Sequence, residues 1–360
     1  MTTNDANDAN DALDTNRTTD GENGSTYVGP TAPVPPRSRG RDHLAGAGLA
    51  VLGTVVALAA MVLALGRVAA HDGTDTVGLV AAVLAGGVLG SVAAWSGRSA
   101  AAPSVAAGLW SVIGVVGLLP ASLRSDLVGH LPEADIDGIS SSLVLEALLT
   151  TGIVLAVGVT FLGLAVAAST ARGLGRASER AEQRLHEGGA VTTPPRPRIF
   201  GHIGAVLLGA IGSVLAVVLL EAFIAEFAID ESPIDGAPVV VALTVLLVGA
   251  FLQSFAGGFS SLGPAVAGVV WLVSALSTFR QATPSPGIVA EKVGPLLADL
   301  GGLRVPEESF LQAGPVWAFG LLLVGGALGV HRARRGGRAA QRQELLHIRS
   351  QDEAWSDSRG

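Results

Sequence analysis

The main pattern in the chain is a series of long apolar stretches separated by short polar segments. Eight of these stretches reach roughly the 20 residues that a helix needs to cross the hydrocarbon core of a bilayer. They lie at 44–66, 77–96, 102–120, 143–168, 202–225, 237–257, 261–279 and 313–331. Backbone polar groups in lipid must be satisfied within the segment, so we expect all eight stretches to be α-helices.

Two of the polar gaps are very short. The second and third apolar stretches are separated only by Ser96 to Ala101, and the sixth and seventh by the Gly/Ser-rich segment Gly257 to Gly263. Such short connections join neighbouring antiparallel elements, so each pair is predicted to be a tight helical hairpin.

Composition agrees with a membrane location. Hydrophobic residues make up 49% of the 360 residues, charged residues make up 15%, and the mean hydropathy is +0.52. A soluble domain usually has about 25% charged residues. The chain has no cysteine, which excludes disulfides, thiolate chemistry and cysteine-ligated metal sites.

Residues 1–40 have a different character from the rest of the chain. They begin with a low-complexity repeat (Asn4 to Ala12), are acidic overall, and become Pro-rich towards the first apolar stretch. Such a segment buries too little apolar surface to offset its ordering entropy, so we predict a disordered tail. It lacks the basic start and early apolar stretch of a signal peptide, which makes the first apolar stretch an uncleaved anchor.

Charge alternates from one polar segment to the next, which predicts the topology. Basic residues cluster before the first apolar stretch and after the second, fourth and eighth, whereas the intervening loops are acidic or mixed. By the positive-inside rule, both termini are predicted to be cytoplasmic in a multi-pass protein of the cell membrane. The basic positions are Arg37, Arg39, Arg41, Arg98, Arg172, Arg176, Arg180, Arg184, Arg196, Arg198, Arg332, Arg334, Arg335, Arg338, Arg342 and Arg349.

The two halves of the chain resemble each other. Pro103 and Trp110 recur as Pro264 and Trp271, 161 residues later (264 − 103 = 161). The polar segment ARGLGRASERAE (171–182) matches ARRGGRAAQRQE (333–344) at seven of twelve positions, where apolar bias does not produce coincidences. The matches are collinear, and each half has an even number of stretches. This pattern indicates two repeats that lie the same way up, related by a pseudo-two-fold axis along the membrane normal.

The predicted fold is therefore all-α: a polytopic integral membrane protein with eight transmembrane helices as two parallel four-helix repeats. We divide the chain into a disordered tail (1–40), a first repeat with a cytoplasmic extension (41–186), a Gly/Pro-rich cytoplasmic linker (187–199), a second repeat with its extension (200–348) and a C-terminal tail (349–360).

Three carboxylates are candidates for an intramembrane or interfacial polar site. Glu146 and Glu308 lie at the outer start of the last span of each half, and Glu221 is the deepest acid, with Val62 at the corresponding position of the first half. Carboxylates at membrane depth often mark ion or proton pathways. The alternative for Glu146 and Glu308 is the headgroup zone, where an acid favours the positive end of a helix dipole. The alternative for Glu221 is a helix end at the outer surface.

Other charged or titratable residues have two interpretations each. Arg67 and Arg280 end spans on the outer side, either as counter-ions to these acids or as side chains that snorkel to the interface. His43 and His202 lie at matching helix entrances, where they would bind a metal, sense pH or simply be polar groups at an interface.

The Arg-rich segments after the fourth and eighth spans are predicted to continue as helices into the cytoplasm. There we expect contact with anionic lipid headgroups at Arg172, Arg176, Arg180, Arg334, Arg338 and Arg342. The alternative is a docking site for a cytoplasmic protein. On the outer side, the apolar spacing in Gly287–Leu303 predicts a short amphipathic helix, with a weaker copy at Leu123–Leu131.

Function is less determined than fold. The sequence contains none of the phosphate-binding loop, nucleophile-elbow or zinc-ligand motifs, so we predict no enzyme activity, no catalytic or metal-binding residues, no cofactor and no nucleic-acid partner. One hypothesis is a transporter or channel for a small solute or ion. The alternative is a non-transporting scaffold, assembly factor or sensor that acts through its outer loops and basic cytoplasmic segments. A polar cavity at mid-membrane would favour transport, and a dry Gly/Ala-packed interior would favour the alternative.

Overall fold

The computed structural model describes residues 39–71, 75–186, 198–224, 227, 236–279 and 315–357. These residues form ten α-helices, two short 3-10 turns and one two-stranded hairpin. The helices are α1 (Arg39–Ala70), α2 (Thr76–Ala94), α3 (Ala101–Val116), α4 (Ala121–Gly129), α5 (Ser141–Thr150), α6 (Ile153–His186), α7 (Arg198–Phe223), α8 (Ala237–Phe255), α9 (Leu262–Phe279) and α10 (Pro315–Asp357). The 3-10 turns are Trp95–Gly97 and Ala256–Gly258, and the hairpin strands are β1 (Asp135–Ile136) and β2 (Ile139–Ser140).

The fold is all-α apart from this small hairpin. Within the described residues, six helices are long and apolar enough to cross a membrane, and the bent pair α3–α4 raises the number to seven. The protein is therefore a multi-pass integral membrane protein, because only helices or closed barrels satisfy their backbone groups in lipid. The six are Gly40–Ala70, Thr76–Gly97, Ile153–Arg184, Ile199–Phe223, Ala237–Gly258 and Val316–Ser356.

The bundle has two ends of different character. At one end lie the starts of α1 and α7, both 3-10 turns, and the arginines of α6 and α10 that contact these turns; we call this end the arginine face. At the opposite end lie α4, α5 and the β1–β2 hairpin, which contacts the end of α1; we call this end the hairpin face.

Helix packing follows a pattern of exchanged partners. The second helix α2 packs on α10, and α8 packs on α6, while α6 and α10 also pack on each other. Within each part of the chain, α3 packs on α6 and α9 packs on α10. The predicted tight hairpins therefore need a correction. The chain does reverse at the two 3-10 turns, but the helices of each pair bury their faces mainly on other helices.

Glycines make these contacts very close. A Cβ atom added at Gly175 of α6 would overlap the carbonyl oxygen of Arg334, and one added at Gly337 of α10 would overlap that of Arg172. Between α2 and α10, a Cβ at Gly90 would lie 2.9 Å from the carbonyl oxygen of Leu321. The backbones of neighbouring helices are thus in direct contact, as small residues permit in membrane bundles.

The fourth predicted span is not one continuous helix, so that part of the prediction is wrong. The apolar stretch 143–168 is divided between α5 and α6, with Gly152 between them at φ +74°. This left-handed conformation is open to glycine without steric cost. The hydroxyl of Thr151 donates to the carbonyl oxygen of Leu148 at 2.7 Å, and it accepts from the amide of Ile153 at 3.3 Å. These bonds help to end one helix and begin the next.

The third predicted span also ends earlier than expected. Helix α3 stops at Val116, and after Pro120 the chain continues as α4 at 120° to it. Part of the predicted amphipathic segment Leu123–Leu131 lies on α4, which confirms a helix there. The stronger predicted copy, Gly287–Leu303, lies outside the described residues.

The core of the bundle is built from small and aliphatic side chains around two large aromatic ones. Trp110 of α3 and Trp271 of α9 are 0% and 1% exposed, which confirms the prediction that they pack between helices. The ring of Trp271 lies 4.5 Å from that of Phe319, centroid to centroid. Most other buried side chains in the spans are Ala, Leu and Val.

Element boundaries recur along the chain. The starts of α2 and α8, Thr76 and Ala237, are 161 residues apart (237 − 76 = 161). The same spacing separates the two 3-10 turns, at Trp95–Gly97 and Ala256–Gly258, and it separates the starts of α3 and α9. Positions with this spacing, or with the spacing of 159 between α1 and α7 and 162 between α6 and α10, are called corresponding positions below.

Candidate functional site

Glu146 is tied to its neighbours on the hairpin face. Its carboxylate accepts a hydrogen bond from Arg124 Nε at 3.1 Å and another from Ser125 Oγ at 2.8 Å. Arg124 also donates to the carbonyl oxygens of Gly117 and Leu119 at 3.2 Å. The Glu146–Arg124 pair therefore links α5 to α4 and to the end of α3. Both side chains are mostly buried, at 24% and 12% exposure.

Glu221 lies in a different place, near the end of α7. It is 1% exposed, and among the buried side chains of the described residues it is the one ionisable group. Two residues further along, the ring of Phe223 packs against Gly152 at the break between α5 and α6. The partners of Glu146 in the described chain are Arg124 and Ser125, so the structure does not join Glu146 to Glu221. Glu308 lies outside the described residues.

The end of α1 carries an ionic cluster that fastens the hairpin. Arg67 donates to both carboxylate oxygens of Asp75, at 2.9 and 3.2 Å, and it also contacts the carboxylate of Asp137. His71 Nε2 lies 2.9 Å from the same Asp137 carboxylate. Arg67 is thus a counter-ion, as one of its two interpretations held, but to Asp75 and Asp137. Arg280 lies outside the described residues.

The hairpin itself was not anticipated from the sequence. Asp137 and Gly138 form its two-residue turn with φ values of 51° and 87°, as the twist of a two-residue hairpin requires. A Cβ at Gly66 would lie 3.0 Å from the side chain of Ile136, so the hairpin seats an apolar residue against α1. The available signal was the Asp-Gly pair between two isoleucines.

Asp75 also starts α2. Its carboxylate accepts from the amide of Gly78 at 2.7 Å, as an N-cap residue does. The hydrogen bond from Arg67, together with this amide, holds the pKa of Asp75 well below its usual range. At the corresponding start of α8, the N-cap residue is Gly236, which has no side chain to cap the helix.

A buried polar triad lies between α7, α8 and α9. The Gln253 amide oxygen accepts from Trp271 Nε1 at 2.9 Å and from Ser213 Oγ at 3.0 Å. Gln253 and Ser213 are completely buried. Sequence reasoning missed this triad, although a glutamine within an apolar stretch was a usable signal. A buried amide needs partners, so its neighbours were predictable as polar.

The corresponding positions in α1, α2 and α3 lack this network. Thr54 corresponds to Ser213, Val92 to Gln253, and Trp110 to Trp271. Valine has no acceptor to offer. The Thr54 hydroxyl and the Trp110 indole nitrogen are buried and have no hydrogen-bond partner among the described residues.

The two histidines each bind a serine of the nearby turn. His43 Nδ1 lies 2.6 Å from Ser99 Oγ, and His202 Nδ1 lies 2.7 Å from Ser260 Oγ. Both serine oxygens also accept the amide at the start of the next helix. Within the described ranges, no group of three His, Asp or Glu side chains is placed to hold a metal ion.

Three of the six arginines predicted to meet lipid are bound to protein atoms. Arg172 donates to the carbonyl oxygen of Ser96, and Arg334 donates to those of Gly258 and Phe259, the latter two at 3.1 and 2.7 Å. Arg342 forms an ion pair with Glu179. The described contacts thus use Arg172 and Arg334 to hold the two 3-10 turns.

A groove lies between the extended ends of α6 and α10. It encloses about 410 Å³ beside the Glu179–Arg342 ion pair. Leucines form part of its wall, and charged or amide side chains form the rest. The lining residues are Glu179, Glu182, Gln183, Arg342, Leu345, Leu346 and Arg349.

Comparison with known protein families, with curated proteins and with solved structures finds no match for this chain. Its function is therefore argued from the geometry alone.

Proposed function

We propose that the chain has eight membrane spans arranged as two parallel four-helix repeats. Support comes from the recurring boundaries of α2, α3, α8 and α9, and from the exchanged contacts of α2 on α10 and α8 on α6. A pseudo-two-fold axis between α6 and α10 relates these contacts. Helix α9, with 18 residues, would span at the position that corresponds to α3.

The arginine face is proposed to be cytoplasmic, with both termini on that side of the cell membrane. The exposed bases at this face and on the extensions of α6 and α10 support this orientation, because positively charged segments are retained inside. The arginines left without a described protein partner, such as Arg176 and Arg180, would contact anionic lipid headgroups.

We infer that the protein is a non-transporting membrane scaffold that docks a cytoplasmic protein. The observation that carries this inference is the continuation of α6 and α10 from the apolar core into one paired helical extension. Their interface continues from the contacts of Gly175 and Gly337 to the Glu179–Arg342 pair and the groove beyond it. A rigid pair of helices that leaves the membrane presents a surface to soluble partners.

The described interior supports a scaffold over a pathway. Helices contact one another through glycine and backbone atoms, which leaves no width for a solute at those crossings. A solute or ion pathway needs polar groups or water along its length. The described buried side chains are mostly aliphatic, and the buried polar groups are mainly hydroxyls and amides.

The groove fits an amphipathic helix of the partner. Leu345 and Leu346 offer an apolar wall, while Glu182 and Arg349 lie at charged edges. A helix that lays its apolar face in such a groove is a common recognition mode.

The test is site-specific photo-crosslinking in the native cells. A photo-crosslinking residue at Leu346, which lines the groove, is expected to capture one cytoplasmic protein that mass spectrometry identifies. The matched control is Ala339, an exposed position on the same helix that is not among the groove residues. Equal capture at both positions, or no capture at Leu346, would contradict the scaffold function.

Transport remains the second candidate because of one specific observation. Glu221 is a buried carboxylate, and α7 contacts the break between α5 and α6 through Phe223. Buried acids beside broken helices are found along ion pathways.

Proton flux into liposomes, reported by an enclosed pH-sensitive dye under an imposed membrane potential, tests this candidate. A flux that Glu221→Gln removes, with folding intact by circular dichroism, would replace the scaffold function. A flux indistinguishable from empty liposomes would exclude a proton pathway through Glu221.

A further inference from the structure

The two 3-10 turns on the arginine face are surrounded by different side chains. Around the turn Trp95–Gly97, Arg98 is exposed, and its guanidinium carbon lies 4.8 Å from the centroid of the Trp95 ring. A Cβ at Gly97 would lie 2.6 Å from Cβ of Arg332, so α10 brings a second exposed arginine to the same turn. We call Arg98, Arg332 and Trp95 the first corner.

The start of α1 adds charges at the edge of the first corner. The bond between His43 and Ser99 holds this helix end against the turn. Arg41 and Asp42 precede His43 directly, and Arg41 is exposed. With Arg98 and Arg332 included, the formal charge here is positive, because three arginines face one aspartate.

The corresponding positions around the turn Ala256–Gly258 are uncharged. Phe259 corresponds to Arg98, Thr170 to Arg332, and Phe200 to Arg41. We call Phe259, Thr170 and Phe200 the second corner. The backbone is alike at both corners, since both turns are capped by a His–Ser pair and by an arginine of α6 or α10. The exposed positive charge is confined to the first corner.

We propose that the first corner binds the phosphate of an anionic lipid headgroup, at one site per chain. Guanidinium groups bind phosphate oxygens through paired N–H donors, and a guanidinium stacked on an indole keeps its donors available. Basic pockets between membrane helices on the cytoplasmic side recognise such headgroups. The site rests on the proposed span arrangement, which sets this turn at headgroup level.

The structure favours these two arginines over those chosen from sequence. Arg172 and Arg334 donate to turn carbonyls, and Arg342 pairs with Glu179. Arg98 and Arg332 come from different parts of the chain, and only helix packing brings them together.

Native mass spectrometry of the full-length protein in detergent tests this site. We expect phosphatidylglycerol or cardiolipin to bind and phosphatidylcholine to dissociate. The double change Arg98→Gln with Arg332→Gln should weaken binding on the order of tenfold, as loss of two charged contacts predicts. The matched control, Arg176→Gln with Arg335→Gln, removes two exposed arginines elsewhere and should leave the dissociation constant within about twofold.

The second corner allows a gain-of-function test that does not depend on weakening the protein. Phe259→Arg with Thr170→Arg should raise the number of tightly bound anionic lipids from one to two. Should the Arg98/Arg332 double variant fail to fold, this variant and Arg98→Lys, which keeps the charge but loses the planar donors, still test the site.

Three results would overturn the proposal. The first is equal weakening by the control pair, which would indicate general charge attraction. The second is unchanged binding in the first-corner variant. The third is displacement of the lipid by millimolar inorganic phosphate, which would make free phosphate the ligand. If span mapping with external labels contradicts the proposed topology, that result identifies the topology as the failed premise.

Discussion

Trp110 and Trp271 occupy corresponding positions and are equally buried, yet only Trp271 donates a described hydrogen bond. Its acceptor, Gln253, is replaced by Val92 beside Trp110. The shape of the packing is therefore retained where the hydrogen bonding is not. Close packing of a membrane bundle depends on backbone approach and side-chain volume, whereas a buried hydrogen bond in lipid contributes only about 0.6 kcal/mol on average.

The same contrast appears at both faces of the bundle. The His–Ser pairs and the turn-binding arginines occur at both turns, but Asp75 caps α2 where Gly236 precedes α8. The first corner is charged and the second is not. The shared features hold the helices in place, so we look for specific binding among the features that differ.

The largest expected effect is at the contact between α6 and α10. Gly175→Ala and Gly337→Ala should each lower the free energy of unfolding by about 3 kcal/mol, because the added methyl group overlaps a backbone oxygen that has no room to move. Thermal unfolding in detergent, followed by circular dichroism, measures both. Gly173→Ala is the control, since nothing lies within 4 Å of its added Cβ. Effects of clearly different size at 175 and 337 would break the correspondence.

The next effect sharpens the tryptophan comparison. Gln253→Val should lower stability by about 2 kcal/mol, because it leaves the buried Trp271 N–H without its acceptor. The reciprocal Val92→Gln should change stability by less than about 1 kcal/mol or raise it, because the amide oxygen supplies an acceptor near Trp110. Unfolding by denaturing detergent measures both variants. Equal damage from the two changes would mean that the pockets are not alike.

A smaller effect is expected at the turns. Ser99→Ala and Ser260→Ala should each lower stability by about 1 kcal/mol, since each removes a buried hydroxyl that binds a histidine and caps a helix. The melting temperatures of the two variants should agree within error. A turn that tolerates the change while its counterpart does not would show that the two histidines differ in role.

The smallest effect is pH-dependent and specific to the start of α2. Because Arg67 holds the pKa of Asp75 below its usual range, this carboxylate stabilises the fold above its ordinary pKa of about 4. The contribution is lost as the pH falls through the lowered pKa. Asp75→Gly should therefore reduce the melting temperature at pH 7 and converge with the unaltered protein in acid. Gly236→Asp, which adds the cap to α8, is the reciprocal variant. A constant difference down to pH 2 would exclude this linkage.

Much of the bundle could be predicted because lipid imposes one strong constraint. Six long apolar helices and both chain reversals lie where hydropathy placed them. The prediction failed where a local backbone preference outweighed hydropathy. At Gly152 a left-handed glycine divides the fourth stretch, and after Pro120 the chain turns by 120° into α4.

The candidate sites were less predictable because they depend on partners distant in the chain. Glu146 and Glu221 were chosen as isolated acids, but the meaning of Glu146 comes from Arg124, 22 residues earlier, on another helix. The lipid-facing arginines were chosen by position, and the structure instead places Arg172 and Arg334 on turn carbonyls.

By itself, the sequence determined that this is an all-α membrane protein, where most helices begin and end, and which positions correspond between its two parts. Apolar length and charge alternation are local properties that the bilayer converts directly into structure. Only the tertiary structure decided that α2 packs on α10, that Gln253 serves Trp271, and that Arg98 meets Arg332. These contacts depend on how helices cross, and crossing is set by close backbone approach at glycines spread over the whole chain.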